Sequence, residues 1–285
     1  AGGYAGLQFL AAPFWGRLSD RIGRRPVLLV SLTGSLLANV LWIVSLRFEL
    51  LLVARLLAGA TSGNVATANA AIADITTPEQ RGRAMGFVGM AFGLGFILGP
   101  AIGGISHALL PRLDALLPDV PGLNPFSTVA AVATLLAAIN LLVAWRSFPE
   151  TLPPDRRGRA GEGRPVNPLR IFDRALGPGV ARINGAFLLH TLLFSGMEAT
   201  LVFLVAQQLG FGVGMTTALF VAMGFMAAAM QGGVYRPLVN RAGPRALALC
   251  GLGALIPGFA LVALVAWQPQ AWLLWTGVQI GRAHV

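Results

Sequence analysis

The chain has 285 residues, 55% of them hydrophobic and 11% charged, with a formal net charge of +10. Soluble domains carry about 25% charged residues, and the polar residues here are too few to cover a chain whose apolar content comes in long blocks, which argues against a soluble enzyme or binding domain. All 21 basic residues are arginine, and they fall in clusters between the apolar blocks rather than along one face, which argues against a nucleic-acid partner.

In chain order, the sequence opens at Ala1 inside an apolar segment, without a methionine. A charged patch follows, "GRLSDRIGRR" at 16–25, with Asp20 among four arginines. Seven apolar blocks come next, at 26–46, 50–73, 84–106, 126–145, 183–206, 215–235 and 246–267. Each is about as long as a helix needs to be to cross a 30 Å hydrocarbon core. The connections at 47–49, 74–83, 207–214, 236–245 and 268–270 are short, whereas 107–125 and the Pro/Gly/Arg-rich 146–182 are long. The last apolar run, 271–279, is too short to span, and "IGRAHV" at 280–285 reads like translated adapter sequence. Both termini of the natural protein are therefore expected to be missing. Cys250 lies in an apolar block and implies no disulfide or metal.

Bracketing the loops alternately places seventeen arginines on one side and only Arg47 and Arg112 on the other. By the positive-inside rule, the arginine-rich side, with 16–25, is cytoplasmic. A repeat also links the two halves. "WGRLSDRIGRRPVLL" at 15–29 aligns with "YRPLVNRAGPRALAL" at 235–249, so that Leu18, Arg21, Gly23, Arg25 and Leu29 recur as Leu238, Arg241, Gly243, Arg245 and Leu249. Parallel repeats related by an axis along the membrane normal produce such a pattern. The predicted organisation is an N-terminal helical bundle over 1–147, a cytoplasmic loop over 148–182, a C-terminal bundle over 183–279 and a tail at 280–285.

Arg55 is a charge inside a span, and such residues default to functional candidates. On an unbroken helix it shares a small, polar face with Gly59, Ser62, Ala66, Asn69 and Ala73. The face either lines a cavity, with Arg55 tuning a carboxylate or holding helices together, or Arg55 reaches to the outer interface. The glycines at 82, 86, 89, 93, 95, 99 and 103 suggest close helix packing, and Pro100 a bend. Glu198, with Asn184, Thr191 and Ser195 on nearly the same face, is a candidate for proton coupling or cation binding, or else a structural acid near the rim. His190 and His107 read as packing or interface residues. Trp15, Trp145, Trp267 and Trp272 near block ends read as interface markers.

"GRLSDRIGRRPVL" strongly resembles the loop signature of the major facilitator superfamily. "LLVARLLAGATSG" at 51–63 resembles that family's helix-four signature, with Ala58 in place of its usual glutamine. "GFILGPAIGG" at 95–104 matches its helix-five motif, which is characteristic of drug:proton antiporters. "APFWGRLSDRIGRRPVLLVSL" and "IADITTPEQRGRAMGF" resemble the tetracycline-resistance-like exporters. The resemblance implies an all-α membrane protein with two parallel-repeat six-helix bundles, here truncated to about helices two to ten. It implies a conformational latch of Gly16, Asp20, Arg21, Gly23, Arg24, Arg25 and Asp74. In it, Asp20, Arg24 and Asp74 cluster, Asp20 faces the start of the eleventh helix, and Gly16 and Gly23 permit close approach and a tight turn. A topology anchor of solvated arginines is the plainer alternative. The helix-four and helix-five residues are Arg55, Gly59, Gly95, Gly99, Pro100, Gly103 and Gly104, and Glu198, Asn69, Ser62 and Thr191 are coupling or cavity candidates. Helix three offers only Asn39 and helix nine no acid, where the tetracycline exporters carry acids, which argues against tetracycline itself.

The expected activity is export of a small amphipathic, drug-like compound in exchange for protons by alternating access. The alternatives are an uptake symporter or a transporter-like receptor and, more remotely, an intramembrane enzyme. The expected setting is a multi-pass monomer in a bacterial plasma membrane, with a small-molecule substrate and the lipid bilayer as partners. No cofactor, metal or nucleic acid is expected, and the proton gradient is the expected energy source.

Overall fold

The computed structural model describes residues 2–116, 127–158, 172, 177–230 and 235–282. The helices among them are α1 (Gly2–Ile22), α2 (Arg24–Ile43), α3 (Phe48–Ala60), α4 (Asn64–Ile75), α5 (Pro78–Leu116), α6 (Ser127–Ser147), α7 (Pro178–Leu209), α8 (Val213–Ala229), α9 (Tyr235–Leu264) and α10 (Ala271–Arg282). No strand occurs among the described residues. Five apolar stretches are long enough to cross a membrane: Arg24–Ile43, Phe48–Ile75, Ala84–Ser106, Ser127–Ser147 and Gly179–Leu209. Val213–Ala229 and Leu249–Leu264 are shorter apolar helices. The start of the long connection 107–125, residues 107–116, continues α5, while 117–125 and most of the long connection 146–182 (159–171 and 173–176) lie outside the described residues, as do 283–285.

The chain forms two compact units, Ala1–Met85 with Ser106–Ala181, and Gly86–Ile105 with Arg182–Val285. Residues 86–105, assigned from sequence to the first bundle, thus pack in the second unit. There Gly93 lies beside Ala228, and a Cβ on Gly104 would sit 2.8 Å from the Thr217 hydroxyl oxygen.

In the first unit α2 is central and packs against α1, α3, α4 and α6. The chain turns from α1 into α2 at Gly23, whose φ of 110° and ψ of 162° fall where a side chain is not tolerated. Gly243, its partner in the sequence repeat, adopts φ 79° and ψ 158° and kinks α9. The repeat therefore extends to backbone conformation.

The apolar stretch Phe48–Ile75 is broken. α3 ends at Ala60 and α4 restarts at Asn64, leaving Thr61–Gly63 non-helical within an apolar stretch. Irregular backbone at membrane depth requires its polar groups to be met by the protein or by a water-lined cavity. Two freed carbonyls are met: the Trp15 indole N–H donates to Ala60 O at 2.7 Å, and the Ser31 hydroxyl donates to Thr61 O. Gly63 makes room for the Trp15 ring. Trp15 is only 8% exposed, so its predicted place at the membrane interface is corrected: it seals the break. Trp145, Trp267 and Trp272 are exposed.

In the second unit, Leu201 and Val205 of α7, Leu219 and Met223 of α8, Val262 and Val265 at the end of α9, and Leu274 and Val278 of α10 make one apolar core.

Candidate functional site

The first unit concentrates its charged chemistry where α1, α2 and α4 end or begin. Asp20 lies one helical turn before Arg24, the spacing that brings i and i+4 side chains together. Arg24 Nη1 donates to Asp20 Oδ1 at 2.7 Å and to Ser19 Oγ at 2.7 Å, and its Nε donates to Asp74 Oδ2 at 2.9 Å. Asp20 is fully buried and Arg24 is 4% exposed. One guanidinium thus uses two edges to hold the last turn of α1 and the last turn of α4. Lysine could not reproduce this fork. Removing Arg24 takes the cation from the buried Asp20 carboxylate, at a cost of about 3–5 kcal/mol.

A residue that sequence reasoning missed completes the cluster. Glu150, just past α6, accepts the backbone N–H of Arg24 at 2.8 Å and of Arg25 at 3.3 Å, capping the free N–H groups that open α2. It also accepts the Leu152 N–H at 3.0 Å and lies 3.7 Å from an Arg157 guanidinium nitrogen. Burial pushes its carboxyl upward. The three backbone N–H groups and Arg157 outweigh that and hold it below the usual carboxylate range. A Cβ on Gly23 would collide with this carboxylate. Gly158 N–H donates to Asp20 O at 3.0 Å, so residues 150–158 are laced onto the α1–α2 turn at both ends.

The other residues of the charged signature do not join the cluster. Arg25 turns away and donates through Nη2 to Trp145 O at 2.7 Å, at the end of α6. Arg21 is exposed. Gly16 has nothing within 4 Å of the position a Cβ would take. Among the described residues, only Gly23 of the two glycines is demanded by geometry.

Arg55 lies over Trp42 of α2, its guanidinium carbon 3.8 Å from the ring centroid, a cation–π pair that ties α3 to α2. Of the roles expected of Arg55, tuning a carboxylate or holding helices together, this contact serves the second. Gly59 allows close approach of α1, for a Cβ there would lie 2.5 Å from Tyr4 O. The single polar face expected from Arg55 to Asn69 is interrupted, because Thr61–Gly63 breaks the helical phase. Ser62 is buried and donates to Gly59 O at 2.8 Å, and Asn69 Oδ1 is buried without a hydrogen-bond partner.

The second unit holds a cavity of about 580 Å³ between α5, α7 and α8. Val88, Phe92, Gly95, Pro100 and Phe220 make its wall apolar, and Glu198 supplies a carboxylate. The helix-five motif and the candidate coupling acid therefore meet at one void. Thr191 is exposed and donates to Phe187 O in its own helix at 2.8 Å, so it is not part of this wall. Gly95, Gly99 and Gly103 have nothing within 4 Å of a Cβ position. Of Gly86, Gly93, Gly95, Gly99, Gly103 and Gly104, Gly93 and Gly104 have neighbours at close range, so the expected seam is not continuous through these positions. His190 stacks on Phe194 with ring centroids 6.1 Å apart, as a packing residue does.

Gly23 and Gly243 thus give the two halves repeat-related turns, and Glu198 stands in the wall of an apolar cavity. The chain belongs to the Major Facilitator Superfamily, which it matches over residues 1–281, and is an integral membrane protein. It is 34% identical over 274 residues to major facilitator superfamily domain-containing protein 10 of Homo sapiens, covering 90% of this chain and 56% of that protein. To the class C tetracycline resistance protein of Escherichia coli it is 32% identical over 261 residues, covering 91% of this chain and 62% of that protein. The crystal structure of the human organic anion transporter MFSD10 (TETRAN) superposes with a TM-score of 0.71 at 30% identity, covering 99% of this chain and 67% of that one. The xylose transporter XylE of E. coli, partially occluded and inward open, shares the fold at a TM-score of 0.64 and 16% identity. The chain spans about half the length of the mammalian relatives it matches.

Proposed function

We propose that the protein exports a small amphipathic compound in exchange for protons, with Glu198 carrying the coupling proton. The observation that supports this reading is the placement of Glu198 in the wall of the apolar cavity, beside Gly95 and Pro100 of the helix-five motif. A pocket with apolar walls and few polar groups suits an amphipathic cargo. A carboxylate that can exchange a proton for such a cargo couples the two fluxes, and one charge crossing 100 mV supplies about 2.3 kcal/mol. The Asp20–Arg24–Asp74 cluster is the proposed cytoplasmic latch, held by Glu150 and released during alternating access. A bacterial plasma membrane is the proposed setting, in keeping with the all-arginine basic composition and the E. coli tetracycline resistance relative.

A second reading takes an organic anion as cargo, favoured by the 30% identity to a solved human organic anion transporter. One experiment separates them. In inverted membrane vesicles carrying the protein, addition of a lipophilic fluorescent cation under an imposed proton gradient is expected to dissipate the gradient, and Glu198→Gln to abolish that response. Dissipation by a fluorescent organic anion, with the cation inert, selects the second reading. An unchanged response in Glu198→Gln removes the coupling role, and flux in the opposite direction makes the protein an uptake symporter.

A further inference from the structure

We propose that Gly95 sets the size of the cargo that the cavity of the second unit admits, and that this cargo is an aromatic organic cation; both parts rest on the reading of this cavity as the cargo site. Each of three helices brings one shaping group to the void: Phe92 from α5, Glu198 from α7 and Phe220 from α8. Gly95 follows Phe92 by three residues, so the two share a face of α5, and both belong to the cavity wall. Nothing stands within 4 Å of the position a Gly95 Cβ would take. Gly104, on the same helix, is the contrast. A Cβ there would lie 2.8 Å from the Thr217 hydroxyl oxygen, so its missing side chain serves packing. The missing side chain of Gly95 leaves cavity space instead.

The chemistry of the wall points to the cargo. Among the described wall residues Glu198 alone ionises, and none is basic. An organic anion would enter an apolar enclosure against a charge of its own sign, where Coulomb repulsion is weakly screened. A cation is attracted by the carboxylate. The rings of Phe92 and Phe220 favour it further, since aromatic rings attract cations and pack against aromatic bodies. The cavity, at about 580 Å³, falls in the range of about 300–1,000 Å³ that suits drug-sized ligands. A leucine at 95 would add four heavy atoms, about 120 Å³ at a water-like share of about 30 Å³ each, or about a fifth of the void. A cation large enough to fill the cavity needs that space, and a small one does not.

The test is equilibrium dialysis of the 285-residue chain in neutral detergent against two radiolabelled monocations, tetraphenylphosphonium as the large probe and benzyltrimethylammonium as the small one. Gly95→Leu is expected to weaken tetraphenylphosphonium binding roughly tenfold or more and benzyltrimethylammonium binding by less than about twofold, as overfilling a packed site would. Gly95→Ala is expected to fall between wild type and Gly95→Leu. Retained binding of the small probe reports an intact fold, and if Gly95→Leu does not fold, the graded loss in Gly95→Ala carries the test. Gly86→Leu, also on α5 with open space at its Cβ but not in the wall, is expected to leave both probes unchanged. Glu198→Gln is expected to weaken both. If it does, and Gly95→Leu weakens both probes equally or neither, the size limit is overturned while the reading of the cavity stands. The same follows if Gly86→Leu matches Gly95→Leu. If Glu198→Gln binds both probes as wild type does, or wild type binds neither, the cavity is not a cation site and the proposal falls with that reading.

Discussion

Replacing Glu150 tests how much of the charged cluster rests on the loop after α6. Glu150→Ala removes the acceptor for the Arg24 and Arg25 N–H groups at 2.8 and 3.3 Å and for the Leu152 N–H at 3.0 Å. Each donor left unmet at a partly buried site costs about 1–3 kcal/mol. Both helix-opening N–H groups remain close enough to the surface for partial rehydration, so about 2–4 kcal/mol in total is expected. Glu150→Gln keeps one carbonyl acceptor and loses the charge, with its favourable placement at the start of α2, for about 1–2 kcal/mol. At roughly 2–4 °C per kcal/mol for a chain of this size, intrinsic tryptophan fluorescence on heating in detergent should show Glu150→Ala melting about 4–16 °C lower and Glu150→Gln about half as much. The pH dependence has a fixed sign. The folded-state carboxyl is held below its ordinary range, so its contribution is complete above that range and is lost as pH falls through the lowered folded value. Wild type and Glu150→Gln should therefore differ by a constant amount at neutral pH and converge in acid. Identical melting of the two at pH 7 would refute the assignment of Glu150 as the α2 cap.

Two further outcomes follow from the same cluster. Asp20→Asn, which leaves Arg24 with Asp74 as its remaining carboxylate, is expected to insert into the membrane normally while reducing vesicle transport at least tenfold. Transport at the wild-type rate would leave the cluster a topology anchor. Gly23→Ala meets both a backbone at φ 110° and the Glu150 carboxylate. It should lower the melting temperature by more than Gly16→Ala, which has open space, and equal melting of the two variants would contradict the turn geometry.

Much of this was legible before the structure because it is local. Long apolar blocks become helices because a membrane leaves the backbone no other partner, and Asp20–Arg24 is written in i, i+4 spacing. Glu150 was not legible: it meets Arg24 across 126 positions of sequence, and its only local signal is an acid amid arginines and prolines. The break after Ala60 was equally hidden, since no proline marks it and its stability comes from Trp15 and Ser31 on other helices. The glycines of α5 misled in the other direction. Their spacing suggests a seam, yet Gly86, Gly95, Gly99 and Gly103 have no neighbour within 4 Å of a Cβ position.

The interruption at Thr61–Gly63 has a mechanical corollary. Because its exposed carbonyls are already held from the side, α3 and α4 can pivot against each other at the cost of small dihedral adjustments rather than by rupturing a ladder of axial bonds. The Arg55 end and the Asp74 end of this rod are thereby uncoupled in bending. A push on one is delivered to the other as a swivel, and amide hydrogens flanking the joint should trade with heavy water sooner than those of the unbroken α2 alongside.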